Sequence, residues 1–452
     1  MYIVVVNPSQ VAAGGATGWL VEKGADAAIM GQIFNAVYVA SILAAVIGTL
    51  LMALYAKLPF AQACGMGLNA FFCTSFIFAA YEAGGNVIEG YQAGLVIVLL
   101  AGLIFLFLSL TGLRQYVAKA MPDCLKKAIP AGIGLFIAFI GLKNAGIIQS
   151  NPYVYVQFVD IHGGINAGTV ATTVVPAVIA FLGFILIAIL SKLKIKGNII
   201  IGILASTVLY YLLTWTLPTF NMSAIGESFK DFASIGVTGV FKASSWTNAF
   251  SAEYIGGIFN AIMLIVTFCL VDMFDTIGTL YGTAAEADML DENGDPENLD
   301  KAMASDSIAT VSGAILGTST CTTFVESATG VAAGGRTGLT SLVTAICLGL
   351  CLFLTPIASI IPDCAAAPAL IFVGVLMVKN FAKVDFTDMR SAVPAFLALI
   401  MMPLTYSIAN GIGIGAIAYT LITIFTGKFK KQDIVITIIA VLFAVKFIFV
   451  TM

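Results

Sequence analysis

Phe268-Cys-Leu-Val-Asp-Met-Phe-Asp-Thr-Ile-Gly-Thr-Leu-Tyr-Gly282 decides how this chain is read. The stretch lies in an apolar run that begins near Ile255, and two carboxylates, Asp272 and Asp275, stand in its middle. A helix turns about 100° per residue, so positions three and four apart share a face. Asp272, Asp275, Thr276, Thr279 and Thr283 therefore form one polar stripe. In a water-soluble protein that stripe would be the wet side of a surface helix. The rest of the chain excludes this.

Of 452 residues, 60% are hydrophobic and 10% charged, and the mean hydropathy is +1.03. Soluble domains carry roughly 25% charged residues. The chain reads as a polytopic membrane protein, with the stripe inside a span. The net charge of −3 excludes little, because the distribution of charge matters more than its sum. No basic leader precedes an early apolar core, so no cleavable signal peptide is expected. The eight cysteines show no paired spacing, and Cys64, Cys73, Cys269, Cys321, Cys347 and Cys351 read as small buried hydrophobes. His162 is the only histidine, and a metal site needs several ligands, so none is expected. The acidic cluster Asp291-Glu-Asn-Gly-Asp295 lacks the spacing and terminal Glu of a calcium loop. No phosphate-cradling glycine loop occurs, which excludes an ATP-driven pump. Neither a cofactor nor a nucleic acid partner is called for.

A spanning helix needs about 20 mostly apolar residues. Candidate segments run near 1–13, 31–56, 66–81, 91–112, 127–147, 170–190, 197–217, 254–283, 302–317, 321–333, 338–357, 365–379, 392–408, 410–427 and 433–451. The last either crosses or lies at the interface. With the N-terminus in the cytoplasm and sides alternating, 16 of the 21 basic residues fall inside and four outside. The outside four are Lys23, Lys143, Lys230 and Lys242, in agreement with the positive-inside rule. The longest outside loops are 143–169 and 217–253.

Two short segments interrupt the apolar pattern. They are Cys64-Gly-Met-Gly-Leu-Asn-Ala-Phe-Phe72 and Gly317-Thr-Ser-Thr-Cys-Thr-Thr-Phe-Val-Glu-Ser-Ala-Thr-Gly330. One is the third span and the other the tenth, matching places in two halves of seven. Short, glycine-interrupted segments at corresponding positions indicate an inverted-repeat transporter with its site near the midplane. Irregular backbone at membrane depth survives only where it is buried in protein or lines a cavity. Asp272, Asp275 and Glu326 then become candidate functional groups, since carboxylates in spans are costly and functional by default. A purely structural hydrogen-bonded network is the alternative for them. Asn69 has the stronger structural alternative, because a span Asn can simply tie helices together. Phe71 and Phe72 read as packing, and Phe324 is the better stacking candidate. Asp306 and Glu253 lie near span ends and are assigned to structure. The set suits a planar, neutral, polar ligand: carboxylates accept ring N–H and amino groups, and an Asn amide does both. With no Lys or Arg among the segments, an organic anion is disfavoured.

Gly65-Met-Gly-Leu-Asn-Ala-Phe-Phe72, Val271-Asp-Met-Phe-Asp-Thr-Ile-Gly-Thr279 and Gly317-Thr-Ser-Thr320, continuing through Thr323-Phe-Val-Glu-Ser-Ala-Thr-Gly-Val-Ala-Ala-Gly-Gly-Arg-Thr-Gly-Leu-Thr340, resemble a known family. They are similar to the AzgA-like branch of the nucleobase–ascorbate transporters, which imports adenine, guanine and hypoxanthine with protons. The resemblance spans nearly the whole chain. It implies an all-α fold of fourteen spans in a seven-plus-seven inverted repeat, with short strands opening spans three and ten. It implies a core domain (1–113 and 253–357) that moves against a gate domain (114–252 and 358–452), often in a homodimer joined through the gate. Carried over by motif, Asn69, Asp272 and Glu326 contact the purine and Phe324 stacks on it. Asp275, with Thr276, supports the site or takes part in proton coupling with Glu326. The resemblance also implies a multi-pass protein of the plasma (cell inner) membrane, and a transporter, not an enzyme. The chain departs from the family's pattern in two ways. Cys64 stands where members carry Pro, and the arm usual before the first span is missing, so a longer native start is expected.

Two alternatives follow from the same residues. The xanthine/uracil branch shares the fold but usually carries Glu where Asp272 stands. An intramembrane aspartyl protease needs two Asp residues on different helices. Asp272 and Asp275 share one helix, and no Gly-x-Gly-Asp occurs in the chain.

Overall fold

The computed structural model describes residues 3–111, 121–151, 153–216, 223–286, 289–290, 296–324, 326–332, 334–358, 360–431 and 433–449. Arg114, Lys119 and the Asp291–Asp295 cluster lie outside them. The main helices are α1 (Ile3–Val11), α2 (Ala27–Leu51), α3 (Met66–Phe72), α4 (Val87–Leu110), α5 (Asp123–Asn144), α6 (Val175–Lys192) and α7 (Asn198–Thr214) in the first half. The second half holds α8 (Ile258–Glu286), α9 (Leu299–Leu316), α10 (Ser327–Ala332), α11 (Gly338–Leu350), α12 (Asp363–Val378), α13 (Met389–Leu404), α14 (Ile408–Phe425) and α15 (Asp433–Phe449). Among the described residues six stretches are long and apolar enough to cross a bilayer: Ala27–Ala56, Val87–Leu110, Asp123–Asn144, Val170–Lys192, Ile258–Ile277 and Asp363–Lys383. This is a multi-pass membrane protein.

Capping side chains set several helix starts. Asp26 accepts from the Ala28 N–H at 2.8 Å, Asn86 from Ile88 at 3.0 Å and Asp388 from Arg390 at 3.0 Å. Each satisfies an orphan donor that lipid or a dry interior could not.

The two halves of the chain pack on each other extensively, and two of their contacts position the site. One is a pair of strands, β1 (Gln62–Cys64) and β4 (Cys321–Thr323), described below. The other is the packing of α5 against α12. Apolar surface gives helices little reason to associate in lipid, so small residues and close backbone approach must do it. A Cβ placed on Gly374 would stand 2.5 Å from the Gly134 carbonyl oxygen, and one on Gly141 only 3.1 Å from that of Ala367. Any side chain at Gly134 or Gly374 would push the two helices apart.

The described parts of the two long loops hold secondary structure. Within 143–169 a hairpin pairs β2 (Ile148–Asn151) with β3 (Tyr155–Phe158), in register Ile148↔Phe158. Within 217–253 lie the short helices Ala224–Asp231, Val237–Phe241 and Ala243–Asn248. A search for long apolar runs passes over such elements, because they are too short and too polar to be spans.

Candidate functional site

The irregular segments solve a backbone problem by pairing with each other. β1 and β4 run antiparallel with Gln62 opposite Thr323, Ala63 opposite Thr322 and Cys64 opposite Cys321. The ladder extends at both ends, through Gly65 N–H to the Thr320 carbonyl (3.2 Å) and Phe324 N–H to the Ala61 carbonyl (2.9 Å). Extended backbone in the interior of a membrane protein is thereby satisfied. The short helices α3 and α10 begin just beyond it, and α8 and α9 lie against it.

Asp272 and Thr276 of α8 point at this ladder and at α9. Asp272 is 1% exposed. Its Oδ2 lies 2.8 Å from the Thr310 hydroxyl, which also accepts from the Cys321 N–H (3.1 Å). Among the described residues Asp272 Oδ1 has no hydrogen-bond partner. Thr276 donates to Asp306 Oδ2 at 2.5 Å and stands 2.9 Å from the Thr322 hydroxyl. Asp306 Oδ1 in turn accepts from Gln62 Nε2 (3.2 Å) and the Thr323 hydroxyl (3.5 Å). A Cβ at Gly65 would be 3.7 Å from Asp275 Oδ2. Glu326 stands close enough to Asp275 for their charges to interact, and Asp275 in turn to Asp306 and Asp272. Four carboxyl groups thus surround one short ladder. The hydrogen bonds described for Asp272 and Asp306 come from hydroxyls, an amide and backbone, with no Lys, Arg or His among them.

Asp306 therefore corrects the sequence reading, which put it near a span end as a structural residue. It is fully buried in the middle of α9 and bridges α8 to both strands. Gln62, Thr310 and Asn7 were likewise not singled out. One signal existed for Asp306: it follows Ala302-Met-Ala-Ser305 and precedes Ser307, a small-residue setting that fits tight packing, not a solvated end.

The polar stripe divides. The hydroxyls of Thr279 and Thr283 bond back to the carbonyls of Asp275 (2.9 Å) and Thr279 (2.7 Å). Asp272 and Thr276 instead bond across to α9 and the ladder. Asn69 is fully buried, and both ends of its amide are engaged. Its Nδ2 donates to Asn7 Oδ1 of α1, and its Oδ1 accepts from the Ser319 hydroxyl. Asn7 Nδ2 lies 3.5 Å from the Thr318 hydroxyl. Phe71 packs on Phe268 with centroids 5.0 Å apart, and Phe72 on Phe76 at the same distance. Phe324 and Glu326 are half-buried. A small cavity of about 20 Å³ opens beside α3, lined by Gln10, Ala70, Cys73, Thr74 and Tyr406 among others.

A buried set of carboxyls beside a broken pair of helices is shared by many transporters, so the sequence relationships decide the family. The model of a permease family (Xan_ur_permease) matches residues 24–414. The chain belongs to this permease family. It is 39% identical over 418 residues to the guanine/hypoxanthine permease PbuG of Bacillus subtilis, covering 92% of this chain and 87% of that one. It is 35% identical over 450 residues to the adenine permease AdeP of Escherichia coli, covering 100% and 90%. These relatives place it in the purine permease branch that its motifs resemble. In fold it is similar to the transmembrane domain of a cyanobacterial bicarbonate transporter, BicA, with a TM-score of 0.57 at 17% identity over 90% of this chain and 94% of that one.

Proposed function

We propose that the protein imports purine nucleobases, among adenine, guanine and hypoxanthine, by proton symport. The observation that carries this reading is the meeting of Asp272, Asp275 and Glu326 around the β1–β4 ladder, in a chain of the purine permease branch. Asp272 Oδ1, without a hydrogen-bond partner among the described residues, is the acceptor for a ring N–H or amino group of the base. Glu326 reads the other polar edge, and Phe324 stacks on the ring. Asn69 was expected to touch the base. Its amide is closed in bonds to Asn7 and Ser319 in this conformation, so its part is to hold the two interrupted segments together. Contact with the base would require those bonds to open.

Buried carboxylates must be paired, protonated or hydrated. With no Lys, Arg or His among the described partners of Asp272 and Asp306, protons are the natural counter-charge, and Glu326 and Asp275, half-buried, are the groups best placed to exchange them. Thr276 supports this cluster through Asp306.

The fold would work as fourteen spans in two inverted halves. The core (1–113 and 253–357), tied by the ladder, slides as an elevator against the gate (114–252 and 358–452), tied by α5 and α12. Gly67 fits such a sliding face, since a Cβ there would lie 2.9 Å from Ile133 and 3.1 Å from Ile408 of the gate. A homodimer through the gate would anchor the moving part. We place the protein in the plasma (inner) membrane with a cytoplasmic N-terminus. A cysteine at the exposed Glu227 should then react with an impermeant thiol reagent from outside, and one at the exposed Lys196 should not. The opposite pattern would refute this orientation.

Competition against labelled hypoxanthine uptake tests the substrate class. Adenine, guanine and unlabelled hypoxanthine should compete, and uracil and xanthine should not. Competition by uracil or xanthine alone would assign the protein to the other branch.

A further inference from the structure

Cys64 and Cys321 face each other across the β1–β4 ladder, with their sulfurs 3.4 Å apart. The bonds at Gly65–Thr320 and Ala61–Phe324 fix the alternation of the ladder, so Cys64–Cys321 is one of its non-hydrogen-bonded pairs. In such pairs the Cα atoms are about 4.5 Å apart and the side chains lie closest. That spacing falls within the range a disulfide bridges. Both sulfurs are buried, and Cys64 borders a small void together with Val4, Asn7, Ser41 and Ala63.

The pair also lies between the two parts of the site. Cys64 Sγ is 3.4 Å from the Thr318 hydroxyl, which neighbours Asn7 and through it Asn69. Cys321 is bonded through its backbone N–H to Thr310, the residue that holds Asp272.

We propose that Cys64 and Cys321 form an oxidisable dithiol, closed to a disulfide by a peroxide, whose closure perturbs the Asp272 and Asn69 networks together. Peroxide oxidises one thiol to a sulfenic acid and releases one water. The second thiol attacks the sulfenic sulfur, the S–S bond forms, and a second water leaves. Two thiols lose two hydrogens and one peroxide becomes two waters. Closure brings the sulfurs from 3.4 Å to about 2 Å and removes the Cys64 S–H. Both strands must follow, and with them Thr310 and Thr318.

The bond itself does not depend on the transport reading; only the change in uptake does, and the two are measured separately. Full-length protein in membranes is treated with hydrogen peroxide, and its remaining thiols are alkylated before peptide mapping. A linked peptide pair containing Cys64 and Cys321 is expected, while Cys73, Cys124 and Cys269 remain alkylated. Oxidation of other cysteines with this pair still reduced would overturn the assignment. In parallel, hypoxanthine uptake should fall by about tenfold on oxidation, the scale of one lost hydrogen bond, and recover with dithiothreitol. Cys64→Ser and Cys321→Ser, each mapped and assayed, should resist the peroxide. Unchanged uptake by protein that carries the mapped bond would refute the link to the site, and equal inhibition of both serine variants would refute the role of the pair.

Discussion

The two short helices that leave the ladder make different use of the same design. Every residue of Met66–Phe72 is buried, and its one polar side chain, Asn69, is bonded on both sides. The second segment instead leaves Phe324, Glu326 and Gly330 half-buried. Both follow a strand of the same ladder, and both contain glycine. In the proposed reading the first acts as a fastening and the second as a reader. Similar backbone does not imply similar chemistry, because an amide already bonded at both ends must give up a bond to gain one from a ligand.

Asp272, which stands between the two segments, gives the largest expected effect. Asp272→Asn replaces a charged acceptor by a neutral amide facing the donor of a base. A charge-assisted hydrogen bond contributes about 1.5–3 kcal/mol, so purine affinity should fall roughly tenfold to more than a hundredfold. Titration of the purified variant measures this, and wild-type affinity would remove Asp272 from the site. Asn69→Ala sharpens the fastening half of the comparison. It strands Asn7 and Ser319 in the interior at a cost of about 1–3 kcal/mol for each unsatisfied group. Lower thermal stability with an unchanged order of preference among purines is expected. Unaltered stability with lost binding would instead put Asn69 against the base. Phe324→Ala tests the reading half and should be milder. Loss of stacking, about 0.5–1.5 kcal/mol, weakens binding roughly twofold to tenfold with little change in melting temperature. A large drop in melting temperature at constant affinity would make Phe324 a packing residue.

Much of this was legible in the sequence, for identifiable reasons. Long apolar runs with few charges read as spans, and helices occupy each of the segments so marked. Asp272 and Thr276 stood out because polar groups in such a run need a cause, and both reach other elements. Asp306 was misjudged because it lies near the beginning of an apolar window, where solvent could reach it. The helix starts earlier, at Leu299, and carries Asp306 inward. Partners could not be read at all. Nothing local marks Gln62 as the donor to Asp306, 244 residues away, or Asn7 as the partner of Asn69. The pairing of Cys64 with Cys321 was equally hidden, because spacing rules for cysteines look along the chain and this contact crosses its two halves.

The central claim is that the second segment couples proton and purine through Glu326. If both bind the same conformation, each must raise the other's affinity by the same factor. Calorimetric titration of hypoxanthine into wild type and Glu326→Gln, at acidic and at mildly alkaline pH, measures that factor. Vesicles with an imposed proton gradient then report accumulation by the same two proteins. Wild-type binding should tighten toward acid, while Glu326→Gln, which keeps the shape of the neutral acid, should bind with little pH dependence and fail to accumulate. A variant that retained both the pH dependence and the gradient-driven accumulation would contradict the claim and move the coupling to Asp272 or Asp275.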